Sequence, residues 1–289
     1  MKLVTTTDYP ARHYGMAGAI DLLADAGYDG LDFSAFTEEL YTDAHDAAYY
    51  AELRARAEDR GMRFLQAHAP FHFPAFGGVE NTPARTRAVL GAMRNAALLG
   101  CERIVVHPLH HLPYREKENE EALVEVTLAH YRELLPYAEE WGIRIATENM
   151  YQRHKGMITH SVCSRPEEMI RIFDEIDSPY LTCCLDVGHT ALVRSDVVQF
   201  IHALGKERLT CLHVHDVDSE KDLHTLPFFG QLEWDRVMGA LADIGYEGNL
   251  TFEADGFLVN LPREVYPDAE KMMASVGRYL IGTFESLRK

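Results

Sequence analysis

The chain has 289 residues, and its 28 lysine and arginine residues against 45 aspartate and glutamate residues give a formal charge of −17 with histidine neutral. A surface this acidic repels phosphate backbones and anionic lipid headgroups, which argues against a nucleic-acid-binding or membrane-surface protein. Hydrophobic residues make up 47% and charged residues 25% of the chain, as in ordinary folded domains, and the length suits one large domain or two small ones.

Short apolar or β-branched segments alternate with longer amphipathic segments along the chain, which predicts alternating strands and helices. The predicted strands are residues 3–6, 30–34, 63–68, 103–107, 143–148, 181–186, 209–215 and 249–253. The predicted helices include residues 44–60, 82–99, 118–141, 166–176 and 234–244, with a last helix from residue 267 to the C-terminus. Glycines between a predicted helix and the next strand, such as Gly61 and Gly142, are typical of helix C-caps.

Eight strand–helix units of about 35 residues match the size of a (β/α)8 TIM barrel, predicted here as a single domain over residues 1–289. The alternative is a doubly wound open sheet. We favour the barrel because no glycine-rich dinucleotide-binding motif follows the first strand and because polar residues recur at the ends of several strands. Residues 149–164, after the fifth strand, form the best candidate for a loop that covers a site.

The compartment is predicted from the N-terminus and the cysteines. Asp8 interrupts the first residues before an apolar signal segment could form, and no apolar run is long enough to span a bilayer, so we expect a cytoplasmic protein. The five cysteines are odd in number and include no Cys-x-x-Cys pair, which predicts buried free thiols. Homo-oligomerisation is left open by the sequence.

Histidines and carboxylates collect at the ends of six consecutive strands: His68, His107, Glu148, Asp186, His213 with His215, and Glu253. In a barrel these ends meet on one face, and carboxylates gathered there repel one another unless a cation neutralises them. Glu148, Asp186, His213 and Glu253 would supply three carboxylates and one imidazole to Mn²⁺, Mg²⁺, Co²⁺ or Zn²⁺. His213 and His215 point to the same side of their strand, so the spacing alone leaves either as the ligand.

Each of these residues also has an ordinary structural explanation. A single histidine or aspartate at a strand end is more often a satisfied polar group or a helix N-cap than a ligand. The metal-site prediction therefore depends on the coincidence of several such residues on consecutive strands.

At the same strand ends the chain resembles the xylose isomerase-like TIM barrel superfamily, which contains sugar isomerases and epimerases and also the type 2 apurinic endonucleases. The most specific segments are Cys-Leu-Asp-Val-Gly-His at residues 184–189, Leu-His-Val-His-Asp at 212–216, Asp-Leu-His-Thr-Leu-Pro at 222–227 and Gly-Gln-Leu-Glu-Trp at 230–234. The resemblance covers nearly the whole chain. It implies one divalent metal, with Mn²⁺ preferred, and it selects His213 over His215 as the ligand.

The resemblance further implies a metal-dependent isomerase or epimerase that acts on a ketose or related polyol through an enediolate. Glu148 and Glu253 would be both metal ligands and the catalytic acid and base. The residues expected to contact the sugar are His68, His107, His189 and His224, of which the first two could instead bind a second ion. Aromatic residues near strand ends could stack on the sugar, although core packing explains them equally well: Tyr9, Phe33, Phe71, Phe228 and Trp234.

Two alternatives remain beside this interpretation. A metal-dependent lyase or dehydratase on a keto-polyol would use the same enediolate and differ only in the departure of a leaving group. An apurinic endonuclease-like phosphodiesterase would hold three zinc ions, with Asp222 and the four sugar-contact histidines among the ligands. Sugar chemistry ranks first because the net charge of −17 is unfavourable for duplex DNA and because Glu-Asn-Met and His-Pro-Leu replace the endonuclease pattern at residues 148–150 and 107–109. The sequence does not identify the sugar, the carbon attacked or whether the substrate is phosphorylated.

Overall fold

Eight parallel strands form one sheet in the computed structural model, which describes residues 1–71, 83–110, 112–218 and 220–288. The strands are β1 (Leu3–Thr6), β2 (Gly30–Ser34), β3 (Arg63–His68), β4 (Arg103–Val106), β5 (Arg144–Glu148), β8 (Leu181–Asp186), β9 (Leu209–His213) and β10 (Leu250–Phe252). Their order in the sheet is β10-β1-β2-β3-β4-β5-β8-β9. A parallel bridge between Val214 and Phe252 brings the two ends of this order together into a nearly closed barrel. The predicted (β/α)8 fold is thereby confirmed.

Helices cover the outside of the barrel between successive strands. The helices in the described residues are α1 (Asp8–Ala26), α2 (Glu38–Tyr41), α3 (Ala47–Asp59), α4 (Pro83–Leu99), α5 (Lys117–Trp141), α6 (Pro166–Ile176), α7 (Val187–Leu192), α8 (Val197–Arg208), α9 (Trp234–Asp243) and α10 (Tyr266–Leu287). The predicted helix at 166–176 coincides with α6, and the others agree within about three residues; the predicted start at residue 82 lies outside the described residues. α1 is broken at Gly15, whose φ of 69° lies in the left-handed region that favours glycine.

The core has two layers, one between strands and helices and one inside the barrel. Every residue of β1, β2 and β8 is buried because side chains on both faces of these strands are covered. Inside the barrel, small side chains form a separate apolar cluster that consists of Val105, Ala146, Cys184 and Cys211. All five cysteines are buried and form no disulfide, as predicted.

The segment after β5 is more ordered than the predicted loop. It forms an antiparallel hairpin of β6 (Tyr151–His154) and β7 (Met157–His160), in which Tyr151 is paired with His160. The predicted covering loop at 149–164 thus contains a hairpin, which turns at Lys155 and Gly156, both at positive φ. None of the described helices has both the length and the apolar character needed to cross a membrane.

Candidate active site

The four predicted ligand residues lie together at the carboxyl ends of four strands. Glu148 ends β5, Asp186 ends β8, His213 ends β9 and Glu253 follows β10. One candidate ligand atom from each side chain lies within 4.8 Å of those of the other three. Glu148, Asp186 and His213 are buried, and Glu253 is half-buried. The barrel therefore gathers three carboxylates and one imidazole at a single point.

The imidazole lies between two of the carboxylates. His213 Nδ1 is 3.2 Å from Glu148 Oε1 and 3.1 Å from Glu253 Oε2. Burial lowers the pKa of His213, but the adjacent Glu253 and Glu148 raise it well above its usual range. Burial likewise raises the pKa of Glu148, while His213 and His107 bring it well below its usual range. Among the described residues, the basic groups within hydrogen-bond distance of Glu148 and Glu253 are imidazoles, and none is a lysine or arginine.

This donor set fits a divalent cation. Carboxylate oxygens and one imidazole nitrogen, converging from four strands, are ligands that Mn²⁺, Mg²⁺, Co²⁺ and Zn²⁺ all accept. A cation at their centre would offset the repulsion among two buried carboxylates and one half-buried one. Burying such carboxylates as unpaired ions costs several kcal/mol each.

Besides a set of His68, His213 and Glu253 that overlaps the first group, two further donor groups adjoin it. His68 and His107 meet at Glu148, where His107 Nε2 is 3.0 Å and His68 Nε2 3.5 Å from Glu148 Oε2. Burial lowers the pKa of His107, and the Glu148 carboxylate partly offsets this effect. The structure thus places both histidines beside the shared glutamate rather than at a distance from the ligand residues.

The third donor group consists of His189, His215, Asp222 and His224. His224 Nε2 is 3.0 Å and His189 Nε2 3.4 Å from Asp222 Oδ2. Burial lowers the pKa of His224, but Glu253 and Asp222 raise it to about 10. His215 stacks on His224 with ring centroids 4.0 Å apart. Its Nε2 lies 2.9 Å from Asp186 Oδ2, so this histidine joins the third group to the first.

The end of β8 is fixed by Asn149, a residue that the sequence analysis did not single out. The Asn149 side chain accepts a hydrogen bond from the Asp186 backbone N–H at 2.8 Å and donates one to the Asp186 carbonyl at 2.9 Å. Asp186 in turn caps α7 by accepting a hydrogen bond from the His189 N–H. A Cβ at Gly188 would lie 2.1 Å from the His215 ring, so the Asp-Val-Gly-His motif needs glycine for this close approach.

Asp216 organises the loop that presents Asp222 and His224, and it too was missed. Its carboxylate accepts hydrogen bonds from three loop N–H groups and one indole: Val217, Phe228, Leu232 and Trp234 Nε1. Its backbone forms an antiparallel bridge with Thr225. The only sequence signal was the aspartate that closes the His-Val-His-Asp segment at residues 213–216.

Aromatic side chains and the hairpin enclose the site. Tyr151 of β6 donates a hydrogen bond to Asp222 Oδ2 at 3.2 Å and packs against the His189 ring at 5.0 Å. Phe71 lies 5.0 Å from the His107 ring, and Phe36, which the sequence analysis did not name, lies 5.1 Å from both Phe71 and the His68 ring. By contrast, two of the aromatic residues expected near the sugar are fully buried core residues: Phe33 and Trp234.

Comparison with protein-family models matches residues 20–275 to the family described as the xylose isomerase-like TIM barrel. An uncharacterized protein of Sinorhizobium fredii is 29% identical over 159 residues, which span 55% of this chain and 49%, or about half, of that relative. A D-psicose 3-epimerase of Enterocloster bolteae is 25% identical over 81% of this chain and 75% of its own length. A probable endonuclease 4 of Listeria monocytogenes is 24% identical over 87% of this chain and 82% of its own length.

Solved structures share the fold at lower identity. A D-psicose 3-epimerase crystallised in the presence of D-fructose superposes with a TM-score of 0.76 at 16% identity, over 98% of this chain and all of that chain. A structure of the IOLI protein with a bound zinc atom superposes with a TM-score of 0.72 at 18% identity, over the whole of this chain and 99% of that chain. At these identities the likeness shows the fold alone.

Proposed function

The chain belongs to the xylose isomerase-like TIM barrel family, and from this premise we propose that it is a divalent-metal-dependent isomerase or epimerase of a small ketose or related polyol. The observation that carries the proposal is the convergence of Glu148, Asp186, His213 and Glu253 within 4.8 Å at the mouth of the barrel. The D-psicose 3-epimerase among the relatives supports a sugar as the substrate class.

Glu148, Asp186, His213 and Glu253 would hold one cation, with Mn²⁺ as our first choice and Mg²⁺, Co²⁺ or Zn²⁺ as substitutes. When bound, the cation supplies Lewis-acid stabilisation for negative charge that develops on the substrate oxygens. A zinc atom in one structure of this fold supports metal binding as such.

Glu148 and Glu253 would transfer the proton. They lie on β5 and just after β10, three places apart in the closed strand order, and each has an oxygen within 3.2 Å of the same nitrogen of His213. The two carboxylates therefore reach the site from different strands. Epimerisation needs a base on one face of the substrate to remove the proton next to the carbonyl and an acid on the other face to return it. Two carboxylates placed in this way supply both roles.

Four histidines would bind the substrate hydroxyls: His68, His107, His189 and His224. All four adjoin the ligand carboxylates, and Tyr151 with Phe71 borders them on the outside. Among the described residues, the ion pairs of the three donor groups involve histidine and never lysine or arginine. The absence of a permanent cation there favours an uncharged sugar over a sugar phosphate.

Two other functions would use the same residues. A lyase or dehydratase on a keto-polyol would use the same residues and release a leaving group from the enediolate. A phosphodiesterase of the apurinic endonuclease kind is favoured by one observation: Glu148 belongs to two of the donor groups, and Asp186 of the first group contacts His215 of the third. That function requires about three zinc ions per chain, whereas the epimerase requires one.

The proposal is tested by Glu148→Gln and Glu253→Gln in the metal-loaded protein. Each substitution removes the proton-transfer carboxylate, so we expect loss of solvent deuterium incorporation next to the carbonyl of a ketose such as D-psicose or D-fructose. Glu207→Gln on the exposed surface of α8 is the matched control and should exchange like the wild type. Wild-type exchange rates in both active-site variants would refute the assignment.

A further inference from the structure

A cavity of about 720 Å³ lies between the hairpin of β6 and β7, the end of α7 and residues 220–221. The side chains that line this cavity are separate from the donor groups, with which they share no residue. Three of them carry a permanent positive charge: Arg153, Arg194 and Lys221. In a chain with a net charge of −17, three cations around one cavity call for an explanation.

Neighbouring carboxylates do not neutralise these three cations. Among the described residues no ion pair joins any of them to a carboxylate, whereas Arg171 and Arg278 elsewhere on the surface both form such pairs. The cavity wall contains one acidic side chain, Glu220, so its permanent charges leave a net charge of +2. His160 on the same wall is neutral at pH 7 because burial and the charge of Arg165 lower its pKa.

Arg194 occupies the cavity wall in a backbone conformation that does not favour arginine. Its φ of 60° lies in the left-handed region, where glycine is the usual residue after a helix. The turn itself is closed by main-chain hydrogen bonds, from the Arg194 N–H to the Ala191 carbonyl at 2.9 Å and from the Ser195 N–H to the Thr190 carbonyl at 3.1 Å. The turn therefore does not require arginine, and backbone strain of this kind is concentrated at functional sites.

The other two cations are attached to a fixed loop. Arg153 Nη2 donates a hydrogen bond to the Glu220 carbonyl at 3.0 Å, which orients the guanidinium and leaves several of its N–H groups for a ligand. The Lys221 backbone N–H donates to Asp218 Oδ1 at 2.6 Å, so the segment that carries Lys221 is held as well. Groups that are already in place lose less conformational entropy when a ligand binds.

We propose that this cavity binds the phosphate group of a small molecule. A phosphate monoester carries a charge close to −2 at pH 7, which balances the net charge of the wall. Guanidinium groups match phosphate oxygens with two parallel hydrogen bonds, and the volume is in the range of ordinary ligand pockets. Because the wall shares no residue with the donor groups, we expect a ligand separate from the sugar substrate, and the inference does not depend on the metal site.

The test is calorimetric titration of the protein with inorganic phosphate, before and after divalent metal is removed by dialysis. We expect binding in both states. Arg194→Gly should lower the affinity about tenfold or more, since a hydrogen-bonded charge is lost, and should unfold at the same or a higher temperature, since glycine tolerates the positive φ. An arginine needed only for folding would give lower stability and unchanged affinity. Arg153→Gln, which removes charge without touching the turn, should also weaken binding about tenfold.

Arg63→Gln is the matched control, because Arg63 is an exposed arginine at the start of β3, at the opposite end of the barrel strands, and its loss changes the net charge equally. It should bind phosphate like the wild type. D-Fructose 6-phosphate separates the two sources of the phosphate group: equal affinity with and without metal indicates a separate ligand, and tighter binding with metal indicates the substrate itself. Absence of phosphate binding, or wild-type affinity in both cavity variants, would refute the site and leave the proposed function standing.

Discussion

Glu270, a residue outside the three donor groups, provides a prediction of how stability depends on pH. This residue lies on α10, is 1% exposed and accepts a hydrogen bond at 3.0 Å from the Tyr28 hydroxyl. Burial, followed by the charge of Asp255, raises the pKa of Glu270 from 4.5 to about 8. The folded protein therefore keeps this carboxyl neutral at a pH where the unfolded chain has lost the proton.

A folded-state pKa above the unfolded value gives stability that is complete below pH 4.5 and is lost as the pH rises towards 8. Each pKa unit corresponds to about 1.4 kcal/mol, so the group costs about 4 kcal/mol more at pH 8 than at pH 5. Glu270→Gln cannot ionise and can still accept the Tyr28 hydrogen bond. We therefore expect the variant to match the wild type at pH 5 and to have a free energy of unfolding about 4 kcal/mol higher at pH 8.

Urea denaturation at the two pH values measures this difference directly, with the unfolding slope checked to be unchanged between the proteins. Glu285→Gln, an exposed substitution on the same helix, is the control and should show no pH-dependent gain. A Glu270→Gln variant whose stability relative to the wild type is the same at pH 5 and pH 8 would show that the buried carboxyl is not held neutral, and the reasoning would fail.

Three further substitutions test how the site is supported. Asn149→Ala removes two hydrogen bonds to the Asp186 backbone, and we expect a loss of about 2 kcal/mol in the free energy of unfolding together with weaker metal binding, measured by denaturation and calorimetry. Gly188→Ala places a Cβ 2.1 Å from the His215 ring, so metal affinity should fall at least tenfold, whereas Gly282→Ala, which has open space around it, should leave the affinity unchanged. Asp216→Ala leaves four buried or half-buried N–H donors unpaired, and we expect faster amide hydrogen exchange across residues 217–233, a result that unchanged exchange would contradict.

Much of the fold was predictable because the strands are short, apolar and buried on both faces. The predicted strands at 63–68 and 181–186 coincide with β3 and β8. The short helices α2 and α7 were not predicted, since four and six residues are too few to show a helical period. The hairpin of β6 and β7 was missed for a related reason: its residues are only partly buried and show no clear alternation.

The candidate site was predictable where residues end or closely follow a strand, and where the segments at 184–189 and 222–227 resemble a known family. Glu148, Asp186 and His213 are the last residues of their strands, and the barrel geometry then brings them together. Asn149 and Asp216 form hydrogen bonds with partners that are distant in the sequence; Asp186, for example, is 37 residues from Asn149. No local sequence pattern predicts such a partner.

The most direct measurement is proton exchange at the carbon next to the carbonyl of a ketose in D₂O, followed by NMR on metal-loaded wild-type protein and on His213→Ala. D-Psicose, D-fructose and D-tagatose are the first substrates to try. The account predicts deuterium incorporation at this carbon in at least one ketose, with about one metal ion per chain, and loss of both in the variant. About three zinc ions per chain with no exchange into any ketose would contradict it and favour phosphodiester cleavage instead.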